Sequence, residues 1–290
     1  MSEPRPVRPR RSLLFVPALR PDRYLKALDA GADIVCIDME DATPLDRKDE
    51  GRATALPLFA QPAPGGVEPM ARINALSTYH GLKDLQALAE SPAPPPAIMI
   101  PKVKSAEEIQ LIDVLLSAGP ARHIRFCVII ETNQGLERAV DIARASPRID
   151  SMILGAVDLS AELRCRKSWE PLLYARSRLV HAAASAGIDL LDVPWLNLDD
   201  ADGLAREAAA CAALGFTGKA SIHPKQIAVI NAAFSPAPAQ VEKARRVVHA
   251  YETSTTGLVV VDGELIELPV VRSYYRMLAI AERIAGAAAS

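Results

Sequence analysis

The chain has 290 residues, with 33 Lys and Arg against 35 Asp and Glu and a formal net charge of −2. That length suits one large α/β domain or two small ones, and 50% hydrophobic with 23% charged residues leaves ample material for a core. Both signs of charge are dispersed without a basic stripe and aromatics are only 4%, which argues against a nucleic-acid partner.

Residues 1–11 read as a short, basic, proline-rich tail without the apolar stretch of a secretory signal. No apolar run reaches the roughly 20 residues that span a bilayer, so no membrane partner is expected. Cys36, Cys127, Cys165 and Cys211 show no C-x-x-C spacing, and Cys36 and Cys127 sit inside apolar strand patterns as small hydrophobes. A reduced, cytoplasmic setting is expected.

Eight β-like runs then alternate with helical patterns. They are SLLFV (12–16), DIVCIDME (33–40), PMARIN (69–74), AIMIPKV (97–103), RFCVIIE (125–131), SMILGA (151–156), DLLDVP (189–194) and GKASIH (218–223). Several are continuously apolar, the pattern of parallel strands buried on both faces. Helices are predicted over 23–31, 105–118 and 172–186. Ser105 with Glu108 reads as a capping box, and Gly31, Gly119, Gly187 and Gly215 stand at expected helix ends.

Eight such units predict a closed (β/α)8 TIM barrel over 12–236. An open doubly wound sheet would want a glycine-rich turn after the first strand, where PALRP stands instead. Residues 237–290 read as a helical extension or lid: a helix at 238–251, a short apolar piece LVVVDGELIEL and a last helix at 270–285. It is expected to pack on the barrel or on a neighbouring subunit.

Barrel sites are built at the C-terminal strand ends. Polar residues fall at nearly all of them: Glu40, Asp41, Arg72, Asn74, Lys102, Glu131, Asp158, Asp192 and His223. Glu131 and Asp158 are 27 residues apart (158 − 131), about one βαβ unit, so both can meet at one end of the sheet. Two carboxylates completed by water and substrate are the usual way to hold Mg²⁺. The alternatives are that Glu131 caps the following helix and Asp158 sits in a surface turn. Asp38, Glu40 and Asp41 form an acidic cluster that repels itself unless a cation intervenes. Arg72 suits the carboxylate of an α-keto acid, or an internal ion pair with those acids. Lys102 and Lys219 raise a competing Schiff-base chemistry, against a structural ion pair for Lys102. His223 reads as a ligand contact or a satisfied strand-end histidine.

Seven blocks together resemble the citrate lyase β-subunit family of HpcH/HpaI-type aldolases, nearest in pattern to its citramalyl-CoA and malyl-CoA lyases. They are RSLLFVPALRPDRYLKAL, ADIVCIDMEDATPLDRKDEGR, RINALSTYHGLKDL, IMIPKV, VIIETNQGL, LGAVDLSAEL and LGFTGKASIHPKQIAVINAAFSPAP. The resemblance implies a (β/α)8 barrel assembled as a homotrimer or hexamer. It implies a Mg²⁺-dependent lyase (Mn²⁺ as a substitute) that cleaves a 3-hydroxyacyl-CoA thioester to acetyl-CoA and a 2-oxo acid. By motif, Glu131 and Asp158 match the metal ligands, Arg72 the carboxylate anchor, and Glu40 and Asp41 the acidic pair beside the metal. Phe15, Lys26, Ile222 and His223 match positions that contact the CoA thioester.

Two positions depart from that pattern. Glu267, in Gly263-Glu264-Leu265-Ile266-Glu267-Leu268-Pro269, stands where the family carries a catalytic aspartate from a neighbouring subunit. Its extra methylene adds about 1.5 Å, and about 1 Å of misplacement can cost roughly 10²-fold in rate. Ala18 replaces the usual glycine of an FVPG turn, which predicts a loss of left-handed backbone freedom there. A non-catalytic CoA-binding subunit, lacking its partners, is the reading that competes from another class.

Overall fold

The computed structural model describes residues 8–254 and 258–289. Eight parallel strands close into a barrel in chain order: β1 Ser12–Pro17, β2 Ile34–Asp38, β3 Glu68–Arg72, β4 Ala97–Ile100, β5 Arg125–Ile130, β6 Ile149–Leu154, β7 Asp189–Asp192 and β8 Gly218–Ser221. Each pairs with the next, and β1 closes on β8 through Leu13↔Ala220. Closure leaves no open edge, which settles the choice against an open doubly wound sheet.

The continuous apolar runs arise because alternate residues face two different cores. One set, including Leu13, Cys36, Met70, Met99, Cys127 and Leu191, fills the barrel interior. The other, including Val35, Ile37, Ile98, Ile100 and Val128, packs outward against the helices. The ring of helices comprises α1 Pro21–Leu28, α2 Lys48–Ala55, α3 Tyr79–Glu90, α4 Ala106–Leu115, α5 Asn133–Glu137, α6 Ala139–Ala143, α7 Ala156–Glu162, α8 Leu173–Ala186, α9 Ala201–Leu214 and α10 Ile227–Phe234.

Several local expectations need correction. Ser105 is the N-cap residue of α4, but its side chain accepts no capping bond, and Glu108 reaches past it to the backbone N–H of Lys104. The capping box is therefore not formed. Gly187 and Gly215 end α8 and α9 in the left-handed region, where glycine carries no Cβ penalty. Gly119 instead precedes a 3₁₀ turn at Pro120–His123, beyond the end of α4. Ala18 is absent from the residues with positive φ, and its amide donates to the carbonyl of Asp38. Alanine there costs no backbone strain.

The N-terminal mouth of the barrel is closed by charge. Arg10 donates to Glu68, Asp150 and Asp189, and Arg125 joins Glu68 and Asp150. Arg11 pairs with Asp33.

Arg10–Phe234 form one compact unit, and the chain from Ser235 onward belongs to another. In that second unit α11 (Pro238–Thr253) and α12 (Leu268–Ala289) flank a hairpin of β9 (Leu258–Val261) and β10 (Glu264–Glu267). Val247, Val248, Ile266 and Val271 form its core. Among the described residues, no helix is long and apolar enough to cross a membrane.

Candidate active site at the C-terminal ends of the strands

A cavity of about 710 Å³ opens where β1, β2, β3, β5 and β6 end. Its lining includes Phe15, Lys26, Asp41, Arg72, Glu131, Asp158, Ile222 and His223, so most of the anticipated site residues are brought together.

Arg72 organises one wall. It ends β3 beside Asp38, its register partner at the end of β2. Its fork is bidentate on that carboxylate, Nε to Oδ1 at 2.7 Å and Nη2 to Oδ2 at 2.5 Å. Nη1 lies 3.0 Å from Glu40 and 3.4 Å from Asp41, and the guanidinium stands over the Phe15 ring at 5.1 Å. Burial opposes its charge, but Asp38, Glu40 and Asp41 outweigh that and hold Arg72 above its ordinary range. The internal ion pair is thus real, with Asp38 as the main partner. Asp38 also accepts the amides of Glu40 and Ala42, shaping the loop that carries the other two acids.

Glu131, directly after β5, is 5% exposed. It does not cap the next helix; Thr132 does, accepting from the amide of Gly135. Glu131 Oε1 instead accepts the amide of Lys102 at 2.8 Å. Burial, then the charges of Glu40 and Asp158, push its carboxyl up to about 8. Gly155 lies against it: a Cβ there would stand 2.4 Å from Glu131 Cβ and 2.5 Å from Oε2. Asp158 sits half-buried in the first turn of α7, three residues on, rather than in a surface turn.

Lys102 donates to Glu40 Oε1 at 2.7 Å. Burial works against its ammonium, yet Glu40 raises it above the ordinary value. Glu40 Oε2 is buried without a hydrogen-bond donor, since Arg72 approaches it out of line. Burial also raises Glu40. Lys48 donates to the carbonyls of Met39 and Glu40 from behind. Arg72, Lys48 and Lys102 therefore face Asp38, Glu40, Asp41, Glu131 and Asp158, three cations against five carboxylates. Among the described residues, no three acidic, histidine or cysteine side chains form a ready metal cage. Two carboxylates in an acidic surround, with an undonated buried oxygen beside them, fit a hard divalent cation that keeps water and takes further oxygens from a ligand.

Two strand-end residues do not join. Asn74 is buried beyond β3, donating to Met39 O and Asp84. Asp192 points outward between strand and helices, because inward-facing Leu191 precedes it. It is bound there by Lys219 at 2.5 Å and Arg176 at 3.1 Å, with Glu207 also on Lys219 at 2.7 Å. Lys219 is 0% exposed and charge-paired on the outer face of the barrel wall, so it is not a Schiff-base lysine for this cavity. His223 is exposed and its Nδ1 accepts the amide of Lys225. Glu267 is the last residue of β10, in the C-terminal unit, and is exposed.

Arg20 and Arg23 also line the cavity and were not anticipated. The signal was present in the i, i+3, i+6 spacing of Arg20, Arg23 and Lys26, immediately after β1.

Residues 11–224 match the family model for HpcH/HpaI aldolase/citrate lyase. The chain is 35% identical to a (3S)-malyl-CoA thioesterase from Cereibacter sphaeroides, over 97% of this chain and 98% of that one. It is 31% identical to an L-malyl-CoA/beta-methylmalyl-CoA lyase from Cereibacter sphaeroides, over 98% of each. The structure is similar to that of protein CitE from Mycobacterium tuberculosis in complex with magnesium, acetoacetate and coenzyme A, with a TM-score of 0.74 and 32% identity over 95% of this chain and 98% of that one. The chain thus belongs to the HpcH/HpaI aldolase/citrate lyase family and is an enzyme of lyase type.

Proposed function

We propose that the protein is a Mg²⁺-dependent lyase that splits a 3-hydroxyacyl-CoA of the malyl-CoA or citramalyl-CoA kind into acetyl-CoA and a 2-oxo acid. The observation that carries this reading is the placement of Arg72, Glu131 and Asp158 around one cavity large enough for such a thioester terminus. Glu131 and Asp158 would hold the Mg²⁺, or Mn²⁺ in its place. When bound, such an ion supplies Lewis-acid polarisation of a substrate oxygen.

The chain's own groups do the rest. Arg72, braced by Asp38, Glu40 and Asp41, orients the carboxylate of the oxo acid. Phe15 supports that guanidinium from below. Lys26, Ile222 and His223, with Arg20 and Arg23, face the thioester and its carrier. The carbinol proton passes to a solvent water as the bond to the thioester α-carbon breaks, and the electron pair of that bond becomes the enolate of acetyl-CoA. Glu267 protonates that carbon. It comes from a neighbouring copy in a trimer or hexamer. The relative named for malyl-CoA cleavage and the solved complex with magnesium and coenzyme A support the reading.

The test is product analysis with the purified chain on malyl-CoA and citramalyl-CoA. Equal amounts of acetyl-CoA and glyoxylate or pyruvate, lost with EDTA and restored by Mg²⁺, are expected. Free CoA with malate would replace cleavage by hydrolysis, the activity in the thioesterase relative's name. No turnover would favour a CoA-binding subunit.

A further inference from the structure

We propose that the outer wall of the barrel holds a small monovalent anion, a halide such as chloride, between Arg176 and Lys167. This site lies away from the cavity and is independent of the reaction carried out there.

Arg176, in the first turn of α8, is 2% exposed. The Trp169 ring covers a face of its guanidinium at 4.6 Å, so polar partners approach it in plane. That edge is only partly used. Nε donates to Asp192 at 3.1 Å and Nη2 lies 3.9 Å from Glu207, while Nη1 is buried without a hydrogen-bond partner. The nearby acids are already engaged. Asp192 Oδ1 accepts from Arg176 and Oδ2 from Lys219, and Glu207 Oε1 accepts from Lys219 at 2.7 Å. A buried guanidinium N–H without an acceptor is costly.

The second cation comes from the segment between α7 and α8, which also carries Trp169. Lys167 is exposed and, among the described residues, makes no hydrogen bond or ion pair. Desolvation beside the cluster holds its ammonium below the ordinary range against the pull of Glu207, and the like charges of Lys219 and Arg176 add to that fall. Three cations, Lys167, Arg176 and Lys219, thus face two carboxylates, Asp192 and Glu207. One positive charge is left over, and a single anion of charge −1 answers both it and Nη1. Exposed Arg164 and Arg166 flank Lys167 and draw anions to the segment. An oxyanion would want two parallel N–H donors. Nε and Nη2 are already turned to Asp192 and Glu207, which leaves one nitrogen, suited to a spherical ion. Bound there, the ion ties the segment after α7 to the first turn of α8.

The full chain is unfolded thermally in sodium gluconate, with chloride, bromide or sulfate replacing gluconate at constant ionic strength. Chloride and bromide are each expected to raise the midpoint saturably, by about 2–4 °C. Sulfate, which stabilises by exclusion from the surface, is expected to act without saturation. Lys167→Gln, at an exposed position, is expected to fold and to lose most of the halide response. A crystal soaked in bromide is expected to show anomalous density beside Arg176 Nη1. Equal midpoints in gluconate and chloride overturn the inference, and so does a chloride response unchanged in Lys167→Gln. A saturable response to sulfate with none to chloride overturns it, as does bromide density at other arginines and none at Arg176.

Discussion

The amide of Lys102 donates to Glu131 Oε1 at 2.8 Å from a left-handed backbone, φ +55°. A non-glycine residue held there stores strain of order 1–3 kcal/mol. The same residue's ammonium holds Glu40 at 2.7 Å. One residue thus fixes two acids of the site, one through its backbone and one through its side chain.

Lys102→Gly separates those two roles. Glycine relieves the positive φ and keeps the amide bond to Glu131, but it frees Glu40. The expected outcome is unchanged or slightly higher thermal stability with activity down by about tenfold or more. Thermal unfolding and turnover, measured together, check it. Borohydride treatment with pyruvate is expected to label no lysine, since Lys102 is held as an ammonium and Lys219 is sealed in ion pairs.

Gly155→Ala places a methyl 2.4 Å from Glu131 Cβ, a separation that side chains do not tolerate. Glu131 must move. The expected result is a loss of roughly 1–3 kcal/mol of stability and at least about tenfold weaker Mn²⁺ binding. Denaturant unfolding and a Mn²⁺ titration read the two effects separately.

Much of the fold was legible because parallel strands buried on both faces leave continuous apolar runs, as in the all-buried Ile34–Asp38. That same continuity hid which alternate residues face inward. Asp192 looked like a site residue, and only closure of the barrel shows that Leu191 takes the inward position. Glu131, Asp158 and Arg72 were readable because each follows an apolar strand. Asp38 was harder to single out: three acids crowd one strand end, and only the register with Arg72 makes it the bidentate partner. The break between α5 and α6 at Arg138 had no proline or adjacent glycine to mark it.

The Lys219, Asp192, Arg176 and Glu207 cluster is predicted to act on stability rather than chemistry. Lys219→Met leaves Asp192 buried with a single cation, and a loss of about 3–5 kcal/mol is expected. Metal binding should be retained. Burial raises Asp192, but the charges of Lys219 and Arg176 outweigh it and leave the carboxylate below its ordinary range. Asp150 is likewise lowered, its burial outweighed by Arg10 and Arg125. A carboxylate with a depressed folded value stabilises fully above its unfolded value, about 3.9, and the contribution is lost as pH falls through the folded value. Thermal stability should therefore fall below about pH 4, and this decline should flatten in Asp192→Asn.

If Glu267 acts on the thioester carbon as proposed, Glu267→Gln is expected to reduce turnover by about 10²-fold while leaving Mn²⁺ and oxo-acid affinity unchanged. Glu267→Asp, with Mn²⁺ binding measured alongside turnover, is expected to remain active, since the acid is retained.

The most direct measurement is a Mn²⁺ titration, followed by electron paramagnetic resonance, of the wild type, Glu131→Gln and Asp158→Asn, with malyl-CoA cleavage assayed on the same samples. One site per chain is expected in the wild type, with at least about tenfold weaker binding and loss of cleavage in both variants. Wild-type metal affinity with full cleavage in either variant would contradict this reading.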